Sequence, residues 1–243
     1  MKLPATLLFL AMIQQLSFKE TQLQHSRVKV AYQEKESTVK NYFNQRNLNN
    51  QGAQLFLRAF KQEMILEVWV KPKQQQKFEL LHTYDFCTTS GAFGPKRKRG
   101  DRQIPEGVYH IQHFNPTSNF YLSLGLNYPN KSDKILGDKV DPGGEIYIHG
   151  NCVSIGCIPI TDDKIKELYI LAVEAVDGGQ SRIPVHIFPS HLNQSKMAAL
   201  RQEYSGHVEV LAFWENLSTI YEDFEKNRTL RSVYIDDKGS YHF

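Results

Sequence analysis

The chain has 243 residues, of which 41% are apolar, 23% are charged and 12% are aromatic. This is the composition of a folded globular protein, and it excludes collagen-like and intrinsically disordered chains. The 29 basic residues exceed the 26 acidic ones by only three. Because nucleic-acid-binding domains concentrate basic residues on one face, so small an excess predicts no nucleic-acid partner.

Residues 1–18 predict a secretory signal peptide. One lysine precedes an apolar run from Leu3 to Ile13, and polar residues begin at Gln14, which is the layout of a leader sequence. Eleven apolar residues are too few to span a bilayer as a helix. A buried N-terminal helix is the alternative, since no small-x-small cleavage site is present. We expect export, with no stable membrane insertion once the leader is removed.

The remaining chain divides into three predicted parts. Residues 24–50 predict an N-terminal helical segment, with a polar helix from Ser26 to Leu48. Residues 54–191 alternate apolar and polar residues in short segments, which predict three antiparallel strands between 55 and 86 and further strands up to His149. A helix beginning at Thr161 or Asp162 as its N-cap follows. Residues 192–243 predict a helical extension of one or two amphipathic helices and a terminal hairpin. The fold class is therefore α+β.

The stretch YIHGNCVSIGC contains the candidate catalytic residues. His149 ends a predicted strand eight positions before Cys157, and a histidine within hydrogen-bond reach of a thiol can remove its proton and later protonate a leaving amine. Because Cys157 precedes a predicted helix, the helix N-terminus should lower the pKa of its thiol. The N–H groups of Gly156 and Cys157 are candidates for an oxyanion hole. Ser154 is expected to fix the loop by a local hydrogen bond.

Three cysteines leave two other interpretations open. His149, Cys152 and Cys157, with Cys87 as a fourth ligand, would suit a structural zinc ion. Alternatively, Cys87 and Cys152 pair as a disulfide and leave Cys157 free, which suits an odd count in an oxidising compartment. A chain of this size does not need a metal to fold, so we expect no metal and no cofactor.

The basic run KRKRGDR, residues 96–102, predicts a solvated loop face. Contacts with the carboxylates of a wall polymer are the minor alternative. Asp101 and Glu106 are expected to pair with these basic residues or to position the loop.

At several separated places the chain resembles the L,D-transpeptidases, the YkuD-domain cysteine enzymes of bacterial cell walls. The stretches IHGNCVSIGCIPITDDKI, SGAFGPKRKRGDRQIPEGVYHI, YLSLGLNYPNKSD and IPVHIFPSH carry the resemblance over about residues 54–191. The segments FWENLSTIYEDFEKN and DDKGSYHF are similar to the C-terminal extension of the YafK-like murein L,D-transpeptidase subgroup.

The resemblance implies a mixed β-barrel or sandwich catalytic domain with flanking N- and C-terminal helices. It implies that Cys157 forms a thioester with a peptidoglycan stem peptide, that His149 is the general base and acid, and that the Gly150 carbonyl orients the imidazole. It further implies a place in the periplasm or cell envelope of a bacterium. An amine acceptor gives a cross-link and water gives hydrolysis, including release of an envelope lipoprotein; a noncatalytic wall-binding module is the alternative class.

Two departures from the family pattern concern the site itself. The loop between histidine and cysteine is shorter than in many members, and Pro159 stands where many members carry an arginine two places after the nucleophile. Proline has neither charge nor N–H, so the usual electrostatic support near the thiol has no counterpart at this position.

Overall fold

The computed structural model describes residues 16–243, so most of the predicted leader, residues 1–15, lies outside the described residues. The helices of the described part are α1 (Phe18–Gln22), α2 (Ser26–Asn44), α3 (Lys131–Leu136), α4 (Thr161–Asp177), α5 (Gln194–Glu203) and α6 (Val208–Asn227). The strands are β1 (Gln54–Phe60), β2 (Ile65–Lys71), β3 (Glu79–Asp85), β4 (Gly107–Asn115), β5 (Ser123–Leu126), β6 (Tyr147–His149), β7 (Ile158–Pro159), β8 (Pro184–Phe188), β9 (Tyr234–Ile235) and β10 (Tyr241–His242). No helix within residues 16–243 is both long and apolar enough to cross a membrane.

Eight of these strands form one mixed sheet in the order β3-β2-β1-β8-β4-β5-β6-β7. The first three strands pair antiparallel as predicted. The β1–β8 and β6–β7 pairs are parallel, and the other pairs of the sheet are antiparallel. The expected α+β class, a mixed sheet with flanking helices, is confirmed.

Strand β1 shows why the sheet is covered on both faces. Leu55 and Leu57 join the core that contains α2 and α4, whereas Phe56 and Phe60, an odd number of positions away, join the cores that contain α5 and α6. Because successive side chains of a strand point to opposite faces, a strand buried at six consecutive positions needs cover on both sides. The molecule is therefore layered helix, sheet, helix.

A buried polar contact attaches α6 to the sheet. Glu106 is fully buried. It accepts one hydrogen bond from Lys61 Nζ at 2.8 Å and another from Trp214 Nε1 at 2.6 Å. Of the two roles expected for Glu106, pairing with the basic run at 96–102 is wrong, since its cation is Lys61, the residue after β1. The predicted C-terminal hairpin is present as β9 and β10.

The sequence patterns do not predict helix α3. Its N-cap, Asn130, accepts a hydrogen bond from the Asp133 N–H at 3.0 Å, and Asp133 accepts one from the Asn130 N–H at 3.0 Å. This reciprocal cap begins a helix of only six residues, which is too short to show an apolar period.

Candidate active site

Strand register places His149 and Cys157 on one face of the sheet. In the parallel β6–β7 pair, Ile148 is opposite Ile158 and His149 is opposite Pro159. Continued by one residue, this register sets Cys157 beside Tyr147. Since side chains two apart share a face, His149 and Cys157 project to the same side, with Cα atoms about 8 Å apart by strand geometry. The proposed nucleophile and base therefore lie on the same face of the sheet, on neighbouring segments.

His149 is held in one orientation. Its ring nitrogen Nδ1 lies 2.5 Å from the Gly150 carbonyl oxygen. A carbonyl only accepts, so Nδ1 carries the proton and Nε2 keeps a free lone pair. Burial lowers the pKa of His149, and the Gly150 contact offsets part of this effect. The imidazole is therefore neutral at pH 7, as a base must be.

Phe120 covers His149, with ring centroids 4.5 Å apart and the planes inclined by 29°. No sequence pattern marks Phe120, because its position over the imidazole depends on the pairing of Ser123 in β5 with His149 in β6.

Gly150 is glycine because a side chain has no room there. A Cβ at this position would lie 2.5 Å from Asp162 Oδ1 and 2.7 Å from the Phe120 carbonyl oxygen. Asp162 itself accepts a hydrogen bond from the Asn151 N–H at 2.6 Å. The prediction that Thr161 or Asp162 is the N-cap of α4 is wrong: the N-cap is Ile160, with no side-chain cap, because Asp162 is used to hold the turn after His149.

Cys157 is a half-buried free thiol, and its Sγ–H donates to the Glu145 carbonyl oxygen at 3.6 Å. Burial raises the pKa of the Cys157 thiol; a backbone hydrogen bond from Tyr147 and the charge of Lys96 oppose this rise, and Glu145 adds to it. The predicted lowering of this pKa is therefore wrong. The N–H of Ile160, the N-cap of α4, donates to the His149 carbonyl oxygen at 2.9 Å, so this group does not bind the thiol.

Ser154 closes the loop before the thiol. Its Oγ accepts a hydrogen bond from the Gly156 N–H at 3.1 Å and donates to the Cys157 carbonyl oxygen at 2.8 Å. Ser90 Oγ lies 3.0 Å away on the other side. The Gly156 N–H is thus engaged by Ser154 in this structure, and an oxyanion would have to replace that contact.

Cys87 and Cys152 form a disulfide, with Cα atoms 5.6 Å apart. It joins the segment after β3 to the turn after His149. The Cys87 N–H also donates to the carbonyl oxygen of Pro159 in β7, at 3.0 Å. Two of the four ligands of the zinc interpretation are therefore committed to a covalent bond. Among residues 16–243, no three His, Cys, Asp or Glu side chains gather as cation ligands.

The basic loop is only partly solvated. Lys98 and Arg99 are exposed, but Lys96 is 4% exposed and its Nζ lies 2.7 Å from Asp101 Oδ1. The Asp101 carboxylate also accepts the N–H groups of Arg97 and Lys98 at 2.8 and 2.9 Å. The expected pairing of Asp101 is confirmed, whereas the expectation of a solvated face is wrong for Lys96.

Comparison with known proteins identifies the domain around this site. The YkuD family model, described as the L,D-transpeptidase catalytic domain, matches residues 62–187, which include both His149 and Cys157. Over 186 residues the chain is 35% identical to YafK of Escherichia coli K12 and, equally, to YafK of Escherichia coli O157:H7, covering 76% of this chain and 72% of each relative. The helical cell shape determining protein Pgp2 from Campylobacter jejuni aligns with a TM-score of 0.46 at 17% identity, covering 76% of this chain and 73% of that one. The motif resemblance is confirmed, and the chain belongs to the L,D-transpeptidase (YkuD-domain) family.

Proposed function

We propose that the protein is a cysteine acyltransferase of peptidoglycan, which cleaves a stem peptide after its third residue and passes the acyl group to an amine. The observation that carries this proposal is the His149 imidazole, neutral and fixed through Nδ1 by the Gly150 carbonyl, on the same sheet face as the free Cys157 thiol. A neutral imidazole and a neutral thiol form a suitable starting pair for general-base attack.

In the acylation step, His149 Nε2 takes the thiol proton as Cys157 Sγ bonds to the carbonyl carbon of the third residue. The tetrahedral intermediate then collapses: the bond to the nitrogen of the terminal D-alanine breaks, and the imidazolium returns the proton to that nitrogen. Free D-alanine and a Cys157 thioester are the products.

In the second step an amine attacks the thioester carbonyl and gives a proton to His149 Nε2. The carbon–sulfur bond breaks, and the thiolate recovers the proton from the imidazolium. Water in place of the amine gives the hydrolase that is the alternative in the same family. The residues of the site act identically in both cases, so the acceptor has to be identified from the product.

We also propose that the protein acts outside the cytoplasm, in the periplasm or cell envelope. The Cys87–Cys152 disulfide supports this location, because structural disulfides persist in oxidising compartments. Mass spectrometry of the protein recovered from separate periplasmic and cytoplasmic fractions tests it. A chain shortened near residue 18 is the expected result, and a full-length cytoplasmic chain would overturn the proposal.

Intact-mass spectrometry after incubation with disaccharide-tetrapeptide, with and without an amine acceptor, tests the activity. The wild type and the Lys98→Met control, which changes an exposed side chain, should gain an acyl adduct and release D-alanine. Cys157→Ala should do neither, and His149→Gln should react much more slowly. A folded wild type that binds the tetrapeptide but forms neither adduct nor product would instead indicate a noncatalytic binding module.

A further inference from the structure

Lys96 is buried beside the backbone segment that accepts a hydrogen bond from the Cys157 thiol. A Cβ placed on Gly143 would lie 2.9 Å from Lys96 Cε and 3.4 Å from its Nζ, so the lysine stem packs directly against that glycine. Two residues further along, the Glu145 carbonyl oxygen accepts the Cys157 Sγ–H. Glu145 has a left-handed backbone, with φ of 56°, a conformation that non-glycine residues keep only where the surroundings enforce it.

The same lysine reaches the segment on the other side of the thiol. Asp101 Oδ1 accepts hydrogen bonds from Lys96 Nζ, at 2.7 Å, and from the Gln103 N–H, at 3.0 Å. The Gln103 carbonyl oxygen would lie 2.9 Å from a Cβ on Gly156, the residue before Cys157. The pair of Lys96 and Asp101 therefore lies behind both backbone segments that flank the nucleophile.

The charges that act on the thiol are few. Lys96 lowers the pKa of Cys157 and Glu145 raises it. The other group that acts on Sγ is the Tyr147 backbone, whose hydrogen bond also lowers the pKa of the thiol. Pro159, two residues after the thiol, has no charge, so Lys96 is the cation that the structure places in this environment.

We propose that Lys96 is a positioning residue of this active site: its ammonium group, anchored by Asp101, stabilises the Cys157 thiolate and holds the 143–145 and 101–103 segments against it. The catalytic consequence rests on the proposed nucleophilic role of Cys157. The electrostatic effect on the thiol does not depend on that role, and it can be measured without substrate.

Alkylation of Cys157 by iodoacetamide, followed by intact mass at pH 7.5 and pH 10, tests the proposal. Only the thiolate reacts, so loss of a stabilising charge lowers the rate at pH 7.5 more than at pH 10, whereas a change in access alters both rates alike. We expect Lys96→Met to lower the rate at pH 7.5 about three- to tenfold, the effect of a pKa shift between half a unit and one. The rate at pH 10 should fall by less, so the ratio of the rate at pH 7.5 to the rate at pH 10 falls. Lys96→Arg should keep the wild-type ratio, and so should the matched control Lys98→Met.

Asp101→Asn gives a second test, which remains available if Lys96→Met does not fold. Because Asp101 anchors the ammonium group of Lys96, its loss should also lower the ratio. An unchanged ratio in folded Lys96→Met, or an unchanged or higher ratio in Asp101→Asn, would overturn the proposal. Failure of the proposed function would appear separately, as a wild-type protein with the expected alkylation profile and no turnover of tetrapeptide.

Discussion

Phe120 stacks on the imidazole of His149 with ring centroids 4.5 Å apart. Phe120 is 36% exposed, whereas His149 is 1% exposed, so the phenyl ring separates the imidazole from water. Desolvation is the main cause that lowers the pKa of His149. The aromatic cover therefore helps to keep the base unprotonated at neutral pH.

Phe120→Ala should raise the pKa of His149 towards its ordinary value, because water then reaches the ring. The looser ring should also lower kcat about 10- to 100-fold, the cost of misplacing a catalytic group by about 1 Å. Titration of the imidazole by NMR, beside tetrapeptide kinetics, checks both effects. Phe243→Ala removes a similarly exposed ring and is the control; an unshifted titration in Phe120→Ala would contradict the explanation.

The value of kcat/KM should stay constant as the pH falls from 7.5 to 6.5. The pKa of His149 lies below its ordinary value, so the base becomes protonated only under more acidic conditions, and the acid limb should lie below pH 6.5. Because burial raises the pKa of Cys157, the thiol remains neutral across this range. An acid limb above pH 6.5 would show that the imidazole is better solvated than its burial implies.

Loss of the disulfide should lower the free energy of unfolding by about 4 kcal/mol, since the bond closes a loop across a separation of 65 residues. Urea unfolding of Cys87→Ser, Cys152→Ser and the double variant measures this loss. All three should unfold alike and resemble the wild type in reducing agent, because each lacks the same bond. A double variant that loses twice as much would mean that the two sulfur atoms stabilise the fold separately.

Asp133 should make stability depend on pH. Burial raises the pKa of Asp133 from its ordinary 3.8 to about 6, so the folded protein binds this proton more tightly than the unfolded chain does. The resulting stabilisation is fully present below pH 4 and is lost as the pH rises through 6, a loss of about 3 kcal/mol for two pKa units.

Asp133→Asn removes this titration, so between pH 4 and pH 7 the wild type should lose about 3 kcal/mol of unfolding free energy relative to the variant. Chemical unfolding at both pH values measures the difference. Asp138→Asn is the control. Asp138 is exposed and backbone hydrogen bonds lower its pKa, so its titration does not reduce the unfolding free energy as the pH rises, and the wild-type loss should persist in this variant. Parallel pH curves for wild type and Asp133→Asn would contradict the burial argument.

Local patterns in the sequence predict much of this protein. The alternation of apolar residues predicts the three-stranded meander β1–β3, and the helical period predicts α2, α4 and a helical C-terminal region of one or two helices. The motif around His149, Gly150 and Cys157 predicts the family, because residues close in the chain carry it. Each of these features depends on neighbours within a few positions, which a single sequence displays.

Only the tertiary structure decides how the site is completed. The contacts of Phe120 with His149 and of Lys96 with the segments beside Cys157 join residues that are distant in the chain, and no period or motif predicts these contacts. The sign of the pKa shift at Cys157 likewise depends on desolvation by the folded chain, which no local pattern in the sequence displays. The sequence alone determined the family and the candidate catalytic residues, and the fold decided their environment, because burial and charge are properties of the packed molecule.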